Sequence, residues 1–539
     1  MYSLDLFLFI GIFLSLVLCF VIKKQIVYMV PVILVCIHFA LSRFNVFVGL
    51  VYLAACFIFL LFFTRDRKGL SIVLIVASSI CLAIPVGIKT QYDMQIYASM
   101  KSYAEAFKWL NDTLREEYVL AAYKKIDFDE KYQTYIKQFE AADKEKSKAV
   151  YYKALSAYLT SFNDAHVSSL KLNELLGGQD EERSKAREAY IGGNYGFSVG
   201  KLDGGEAMVI AVDEESKAYE DGIRVGLSLT KWNGVPIEET ISKVPLEMAP
   251  ITIANGEGQE RLRYMLLAQD VIGNTVKISF IDEKGKEQEI ELTAEDDDYK
   301  AIKANMNTFY QMRVEEEITI KELKEGCGYI KISTMNPVDE EKAIQQIQEA
   351  IEDFKAKQIQ ELIIDLRNNN GGSDEFGAKV MGLFTKEEHF YLAENTYSQV
   401  SDTYTEHHVI ICEPSDEVYE GQIAILVNGK TVSAAEGFAY RMQELENVLV
   451  AGFEGSNGSF GTITNGEVVM PDGYIVTYPR IACLDEKGKV MLDTNAENEG
   501  GVRPDIKVPF DKENALALYE GRKDVELEAV MKYLKKSNT

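Results

Sequence analysis

The sequence predicts an N-terminal multi-span α-helical membrane anchor followed by a soluble α+β body. Three observations support this prediction. The 539 residues are 47% hydrophobic and 26% charged, a composition that excludes disordered and collagen-like chains. Four apolar runs fill the first ninety residues, and the remainder alternates between helical and strand patterns. The 83 acidic residues outnumber the 57 basic ones, which excludes nucleic acid as a partner because phosphate would repel the chain.

The predicted anchor covers residues 1–92 and has about four spans. Its apolar runs, at 4–22, 26–41, 46–63 and 70–88, are near the roughly 17–25 residues that a membrane helix needs. Lys23 and Lys24 follow the first run, where a cleaved signal peptide would have small residues. The first run therefore fits a span better than a signal peptide. The runs lack paired charges, which favours an anchor over a transporter.

The distribution of charge predicts how the anchor is oriented. Residues 1–89 carry seven basic and two acidic side chains, a net charge of +5, while the rest of the chain carries −31. Five of the basic residues fall in the first and third loops and one falls in the second. The positive-inside rule then predicts a multi-pass protein of the cell membrane with an extracytoplasmic body. An odd number of spans would reverse this orientation.

The body divides into three predicted parts. Residues 93–192 have the spacing of amphipathic helices, and residues 193–296 have short β-rich pieces separated by glycine turns. Residues 297–539 alternate strands with helices and end in a helix, which predicts an α/β core. The body cysteines, Cys327, Cys412 and Cys483, are too far apart in sequence for a metal-ligand motif or a disulfide framework. We expect no metal or organic cofactor.

The β-rich part resembles a PDZ domain of the kind inserted in bacterial proteases. The matching residues are Ser216, Ala218, Gly222, Ile223, Gly226, Asn233 and Gly234. Lys217 and Leu227 depart from the usual Pro and Asp. The resemblance implies that the loop Tyr195, Gly196, Phe197 and Ser198 binds a peptide carboxylate through backbone N–H groups, with the peptide added as a strand. Residues 238–269 exceed what this module needs and predict a helical insertion.

Three motifs of the α/β part resemble those of the C-terminal-processing (tail-specific) and tricorn-like serine peptidases. They are IDLRNNNGG at 364–372, VSAAE at 432–436 and GVRPDI at 501–506. Together with the PDZ-like part, the resemblance covers roughly residues 100–510. It implies an α/β core of the crotonase/ClpP type and peptides or proteins as substrates.

The same resemblance implies the catalytic serine and its oxyanion donors. Ser433 stands at a predicted helix start, where free N–H groups and the helix dipole favour a negative charge. The N–H of Ala434, with that of Gly371 or Gly372, is predicted to bind the oxyanion. A serine at a helix start is otherwise most often only an N-cap.

The catalytic base differs between the two branches of the family. The processing peptidases use a lysine about 25 residues after the serine, but this chain has no lysine between Lys430 and Lys487. The tricorn-like branch uses a histidine before the PDZ module, and Asp164-Ala165-His166 matches its D-x-H pattern. Imidazole is suited to accept a serine proton near neutral pH. His166 is therefore the predicted base.

Two glutamates compete for the role of the carboxylate that orients His166. The tricorn-like pattern has Glu-Asn-x-Gly-Val, and residues 497–502 read ENEGGV with one extra residue. Either Glu497 or Glu499 can correspond, with Glu499 nearer the Gly-Val pair.

These residues predict a membrane-anchored serine endopeptidase that acts outside the cytoplasmic membrane by Ser-His-Glu chemistry. The alternative is a catalytically inactive, membrane-tethered PDZ protein that binds peptides without cleaving them. The oligomeric state is not predicted by the sequence.

Overall fold

The structure is a computed structural model that describes residues 98–537, apart from 172–173, 175–177, 313–315, 399–402 and 465. In this part of the chain no helix is long and apolar enough to cross a membrane. The longest described helix, Phe128–Glu145, has charged side chains along its whole length, which a bilayer core excludes. The predicted multi-span anchor and multi-pass membrane location are therefore corrected, because the structure does not support them. The apolar runs within 1–92 lie outside the described residues.

Four helices form the N-terminal part of the described chain, after a 3₁₀ turn at Ala98–Met100. They are α1 (Tyr103–Glu117), α2 (Phe128–Glu145), α3 (Lys148–Thr160) and α4 (Glu181–Ile191). Side chains of Ser102, Asp127, Ser147 and Asp180 cap their first turns. Strand β1 (Ser168–Lys171) lies between α3 and α4, in a stretch where the sequence predicts only helix. The helices pack through stacked aromatic rings, such as Phe107 on Phe139 at 4.2 Å between centroids.

The middle module, residues 193–296, is built on an antiparallel sheet. Its strands are β2 (Gly193–Asn194), β3 (Phe197–Lys201), β4 (Ala207–Val212), β5 (Ser228–Trp232), β6 (Val235–Pro236), β7 (Gln269–Asp270), β8 (Thr275–Ile281), β9 (Glu287–Thr293) and β10 (Glu295–Asp296). The main sheet has the order β3-β4-β5-β8-β9, and the short β6 also pairs with β5. A second small sheet has the order β10-β2-β7.

Helices cover the middle module and join it to the rest of the chain. They are α5 (Lys217–Glu220), α6 (Ile237–Ile241), α7 (Gly256–Leu266) and α8 (Lys300–Phe309). The last two of these carry apolar residues that share one core with the C-terminal residues Val508 and Phe510. This shared core fixes the module against the α/β part.

The α/β core contains a six-stranded sheet. Its strands are β11 (Ile318–Leu323), β12 (Cys327–Ile332), β13 (Glu361–Asp365), β16 (Gln422–Leu426), β17 (Val448–Gly452) and β21 (Ile506–Lys507). They lie in the order β11-β12-β13-β16-β17-β21, and all neighbours are parallel except β11, which is antiparallel to β12. The helices are α9 (Glu340–Ala356), α10 (Asp374–Met381), α11 (Ala434–Gln443), α12 (Lys512–Tyr519) and α13 (Val525–Ser537). Further 3₁₀ turns lie at Lys324–Gly326, Gly382–Phe384 and Pro471–Gly473.

Two further sheets connect the core to the N-terminal helices. Their strands are β14 (His389–Ser398), β15 (Thr403–Cys412), β18 (Glu467–Val469), β19 (Tyr474–Thr477) and β20 (Ala482–Leu484). One sheet has the order β15-β14-β20 and the other β1-β19-β18. Because β1 directly follows the segment 161–167, its pairing with β19 holds that segment against the core.

The parallel strands bring the first two sequence motifs and the segment after β17 to one edge of the core sheet. The segment 366–372 follows β13, the segment 427–433 follows β16 and the segment 453–461 follows β17. Carboxyl ends of parallel strands meet at a common edge, which is where α/β proteins place their ligand sites.

Candidate active site

Ser433 lies at the junction between the segment after β16 and helix α11. Its backbone has a φ of 61°, which is rare for a residue with a side chain and costs about 1–3 kcal/mol. Its N–H donates to the carbonyl of Ser459 at 3.0 Å and to Oε2 of Glu436 at 3.1 Å. The side chain is half-buried. Tertiary contacts therefore hold this serine in a conformation that the local sequence alone would disfavour.

The side chain of Glu436 contributes most of the hydrogen bonds that hold this arrangement. Its fully buried carboxylate accepts four hydrogen bonds: from the N–H groups of Ser433 and Ser459 at 3.1 Å each, from the Gly458 N–H at 2.7 Å and from the Ser456 hydroxyl at 2.6 Å. Burial raises the pKa of Glu436 to about 8, although the four donors act in the opposite direction. One carboxylate thus ties the serine to the loop 456–459.

Ser456 extends the same network to the third motif. The hydroxyl oxygen of Ser456 accepts the N–H of Val502 at 2.6 Å. A Cβ atom added to Gly501 would lie only 2.6 Å from the backbone carbonyl oxygen of Ser456. Gly501 has a φ of 74° and packs too closely for a side chain. The VSAAE and GVRPDI motifs are therefore joined through Glu436 and Ser456.

The two glycines of the first motif differ in their hydrogen bonding. A Cβ on Gly371 would lie 2.6 Å from Cβ of Ser433 and 3.1 Å from the Ala434 nitrogen, so this glycine is in direct contact with the serine. The Gly371 N–H donates to Oδ1 of Asn369 at 2.9 Å. Within the described residues, no acceptor contacts the N–H of Gly372 or that of Ala434. Gly372 and Ala434 thus retain free donors, as an oxyanion site requires.

His166 is brought to the serine by one shared neighbour. The N–H of Ala165 donates to Oγ of Ser459 at 2.8 Å, and Ser459 is also the residue whose carbonyl accepts the Ser433 N–H. The His166 N–H donates to Oδ1 of Asp164 at 2.9 Å, and its carbonyl accepts from Thr477 on β19. The backbone of His166 is therefore fixed on both sides.

The His166 ring itself is less constrained than its backbone. Nδ1 is buried and has no hydrogen-bond partner. In the part of the chain that the structure describes, no hydrogen bond joins the Ser433 hydroxyl to this ring. Burial lowers the pKa of His166 and the positive Lys124 acts in the same direction, while Asp164 raises it. The imidazole is therefore kept neutral, which is the form that accepts a proton.

Two buried aspartates, Asp164 and Asp493, interact with each other beside the segment that carries His166. Asp164 accepts the hydroxyl of Tyr118 at 2.7 Å. Asp493 accepts the N–H groups of Phe460 and Gly461 through Oδ1, whereas its Oδ2 is buried without a partner. Burial raises the pKa of Asp493 to about 7, and the charge of Asp164 adds to this shift.

The sequence reasoning missed Asp493. The available signal was its place directly after the apolar pair Met491 and Leu492, which indicates a buried carboxylate.

The predicted glutamates lie at the surface. Glu497 pairs with Lys125 at 2.9 Å and Glu499 pairs with Arg503 at 3.3 Å, with 62% of each glutamate side chain exposed. The Asn495 side chain accepts the N–H groups of both glutamates, which turns this loop outward. The described residues include no contact between either glutamate and His166. Their assignment stays a prediction.

The predicted carboxylate loop of the middle module contains its own acceptor. Oδ1 of Asn194 accepts the N–H of Gly196 at 2.7 Å and that of Phe197 at 3.0 Å. The hydroxyl of Tyr195 donates to Asp270, and that of Ser198 donates to the carbonyl of Ala301. An amide oxygen thus stands where a peptide carboxylate would bind.

The neighbouring edge strand β3 is also engaged. The carbonyl of Val199 accepts from Asn305 of α8, and that of Lys201 accepts from Arg261 of α7, each at 3.2 Å. A peptide that adds to β3 as a strand would compete with these side chains.

Part of the chain matches the model of a known protein family. The family model described as "Peptidase family S41" matches residues 326–508. Residues 326–508 are a peptidase family S41 domain. This match confirms the resemblance predicted from the sequence and the predicted enzyme class, a serine-type peptidase. Ser433, both glycines and Glu436 lie inside the S41 domain, while His166 and the middle module lie outside it.

A curated relative and two solved structures are also similar to this chain. Carboxyl-terminal-processing peptidase 2, chloroplastic, of Arabidopsis thaliana is 28% identical over 126 residues, which is 23% of this chain and 22% of the relative. The structure of mature CPAF complexed with lactacystin has a TM-score of 0.52 at 14% identity, covering 81% of this chain and 97% of that one. The crystal structure of mature CPAF has a TM-score of 0.51 at 14% identity, covering 81% of this chain and 96% of that one. At this identity the likeness shows the fold.

Proposed function

We propose that this chain is a serine endopeptidase that cleaves peptide or protein substrates through an acyl-enzyme on Ser433, with His166 as the base. The observation that carries the proposal is the shared contact of Ser459, which joins the serine backbone to the segment that ends in His166. Membership of peptidase family S41 supports the reaction class.

The chemistry follows the usual order of serine peptidases. A ring nitrogen of His166 takes the hydroxyl proton while Oγ of Ser433 attacks the peptide carbonyl. The oxyanion that forms is bound by the free N–H groups of Ala434 and Gly372, beside Gly371. His166 then returns the proton to the leaving amine, and water hydrolyses the ester. Neutral imidazole in the resting enzyme, favoured by its lowered pKa, supports this role.

The carboxylate partner of His166 has three candidates. Glu497 and Glu499 follow from the sequence pattern. Asp493 is supported by its burial and by its unpartnered Oδ2, which matches the unpartnered Nδ1 of His166 in the same region. A carboxylate that accepts the Nδ1 proton fixes the tautomer and stabilises the imidazolium during reaction.

A fluorophosphonate probe tests the proposal, because it reacts with an activated serine. We expect the wild type to be labelled, Ser433→Ala to be unlabelled and His166→Ala to be labelled about 10²–10⁴-fold more slowly. His407→Ala is a matched control, because His407 is exposed on β15 and contacts Thr396. It should behave as the wild type.

Two results would contradict the proposal. Labelling that persists in Ser433→Ala would exclude this serine as the nucleophile. A wild-type chain that is folded but unlabelled, and that cleaves no peptide, would favour the alternative of an inactive peptide-binding protein.

A further inference from the structure

Lys124 connects the loop that carries His166 to the loop that carries Asp493. It lies in the turns after α1 and is only 8% exposed. Its Nζ donates to the carbonyl of Asn163 at 3.0 Å and to the carbonyl of Thr494 at 2.7 Å. A buried ammonium is costly unless its hydrogen bonds are satisfied. Here the acceptors belong to two loops that are more than 300 residues apart in sequence.

The charges around Lys124 explain why a cation is needed at this place. Asp164 and Asp493 are both buried, and the charge of Asp164 disfavours ionisation of Asp493. The other titratable groups that interact with this pair are the phenols of Tyr118, Tyr123 and Tyr404 and the thiol of Cys483. Apart from His166 itself, Lys124 is therefore the cation in the described surroundings of this carboxyl pair.

The neighbouring Lys125 shows that burial, not sequence position, distinguishes Lys124. The Lys125 side chain is 71% exposed and pairs with Glu497 at the surface. Two adjacent lysines thus have different environments, one solvated and one between the loops of the site.

We propose that Lys124 is a positioning residue for the base: its ammonium holds the loops 163–166 and 493–494 together and so fixes the place of His166. This inference rests on the proposed function of Ser433 and His166. The ammonium acts through the loop carbonyls and through its charge, and it takes no part in bond making or breaking.

The test compares Lys124→Gln, which keeps a donor for the carbonyls but loses the charge, with Lys124→Arg, which keeps the charge. For Lys124→Gln we expect kcat to fall about tenfold to a hundredfold with KM within about threefold. Because a cation that lowers the His166 pKa is lost, the acid limb of kcat/KM should move at least about half a pH unit upward. In Lys124→Arg the acid limb of kcat/KM should lie at the wild-type pH.

The His166 pKa is also measured without catalysis, by proton NMR titration of the imidazole in a Ser433→Ala background. It should rise in Lys124→Gln, whatever the outcome of the probe experiment on the proposed function. Lys108→Gln is the control, because Lys108 is 62% exposed on α1 and pairs with Asp112. It should leave both the acid limb and the His166 pKa unchanged.

The proposal is overturned if Lys124→Gln leaves the His166 pKa and the acid limb at the values of Lys108→Gln, or if its loss lies entirely in KM. Should Lys124→Gln fail to fold, Lys124→Gln/Asp493→Asn is measured against Asp493→Asn, because the double variant removes the buried carboxyl together with the cation that lies beside it. The His166 pKa must then be higher in the double variant, and an unchanged value overturns the proposal.

Discussion

The serine side and the histidine side of the candidate site are constructed differently. Ser433 is held by the buried Glu436 and by loops at the carboxyl ends of neighbouring parallel strands, all within the S41 domain. His166 lies outside that domain, in a segment supported by Tyr118 and Lys124 from the N-terminal helical part. The first side is one local network, and the second is assembled from distant segments.

This difference has a consequence for how the site becomes active. The Glu436 carboxylate has all its acceptor positions filled, whereas Nδ1 of His166 and Oδ2 of Asp493 are buried without partners. Buried unpaired polar atoms are costly, so a movement that gives them partners is favourable. We infer that the serine side is preorganised and that adjustment on substrate binding takes place on the histidine side.

The largest effect is expected from Glu436→Ala, which tests the preorganised side. Removing the carboxylate leaves the buried donors of Ser456, Gly458 and Ser459 without an acceptor, and each such loss costs about 1–3 kcal/mol. We expect unfolding free energy to fall by about 3 kcal/mol or more and probe labelling of Ser433 to fall by about 10³ or more, because Ser433 loses one of the two contacts that hold its N–H and the loop that supplies the other is destabilised. Thermal unfolding and labelling kinetics measure the two effects.

The exposed Glu446, just beyond the end of α11, provides the control for this variant. Glu446→Ala should change the stability by less than about 0.5 kcal/mol. A Glu436→Ala variant with wild-type labelling would contradict the view that the serine side depends on this carboxylate.

The carboxylate of the histidine side is tested next, by comparing Asp493→Asn with Glu497→Gln and Glu499→Gln. If the buried Asp493 orients His166, its variant should lower kcat by about 10² or more, while the two exposed glutamates should change it less than about threefold. Steady-state cleavage of a peptide substrate measures all three. A loss confined to Glu499→Gln or Glu497→Gln would instead support the carboxylate predicted from the sequence pattern.

These two tests also separate what the sequence could predict from what it could not. The glycine pair, the helix-start serine and the strand alternation are local patterns with local physical causes, and they led to the S41 family. The partners of His166 depend on long-range contacts, since 370 residues separate Lys124 from Thr494. Spacing favoured the glutamates, but hydrogen bonds from their N–H groups to Asn495 turn that loop towards solvent.

The predicted anchor was wrong for a different reason. Hydropathy reports only that a segment is apolar. The described helices bury most of their apolar side chains in internal cores, as α1 does with Phe107 and Leu110, and none of these helices is long and apolar enough to cross a membrane.

Between pH 5 and 8 we expect activity to rise with pH because of the histidine side and folding stability to fall because of the serine side. His166 must be neutral to act, and its pKa lies below the ordinary value of about 6.5, so kcat/KM should reach half its plateau below that pH and rise upward through it. Glu436 has a folded pKa of about 8, above its unfolded value near 4.5, so the stability it contributes is complete below pH 4.5 and is lost as the pH rises through 8.

Asp493, whose pKa is raised to about 7, adds to the loss of stability over the same window. Calorimetry between pH 5 and 8 should therefore show Tm falling while kcat/KM rises. A Tm that increases with pH over this window would mean that ionisation of Glu436 costs the folded state little free energy. The pH dependence of kcat/KM would then be the remaining measurement of the histidine side.

The smallest effect is expected in the middle module, which neither side of the site contains. Asn194→Ala removes the amide oxygen that accepts the N–H groups of Gly196 and Phe197, and so frees two donors for a peptide carboxylate. We expect a peptide with a free C-terminus to bind about threefold to tenfold more tightly to this variant, measured by fluorescence polarisation in a Ser433→Ala background. The same peptide with an amidated C-terminus should gain nothing. Equal gains for both peptides would show that the loop does not recognise a carboxylate, because the freed N–H groups would then contribute only through the peptide backbone.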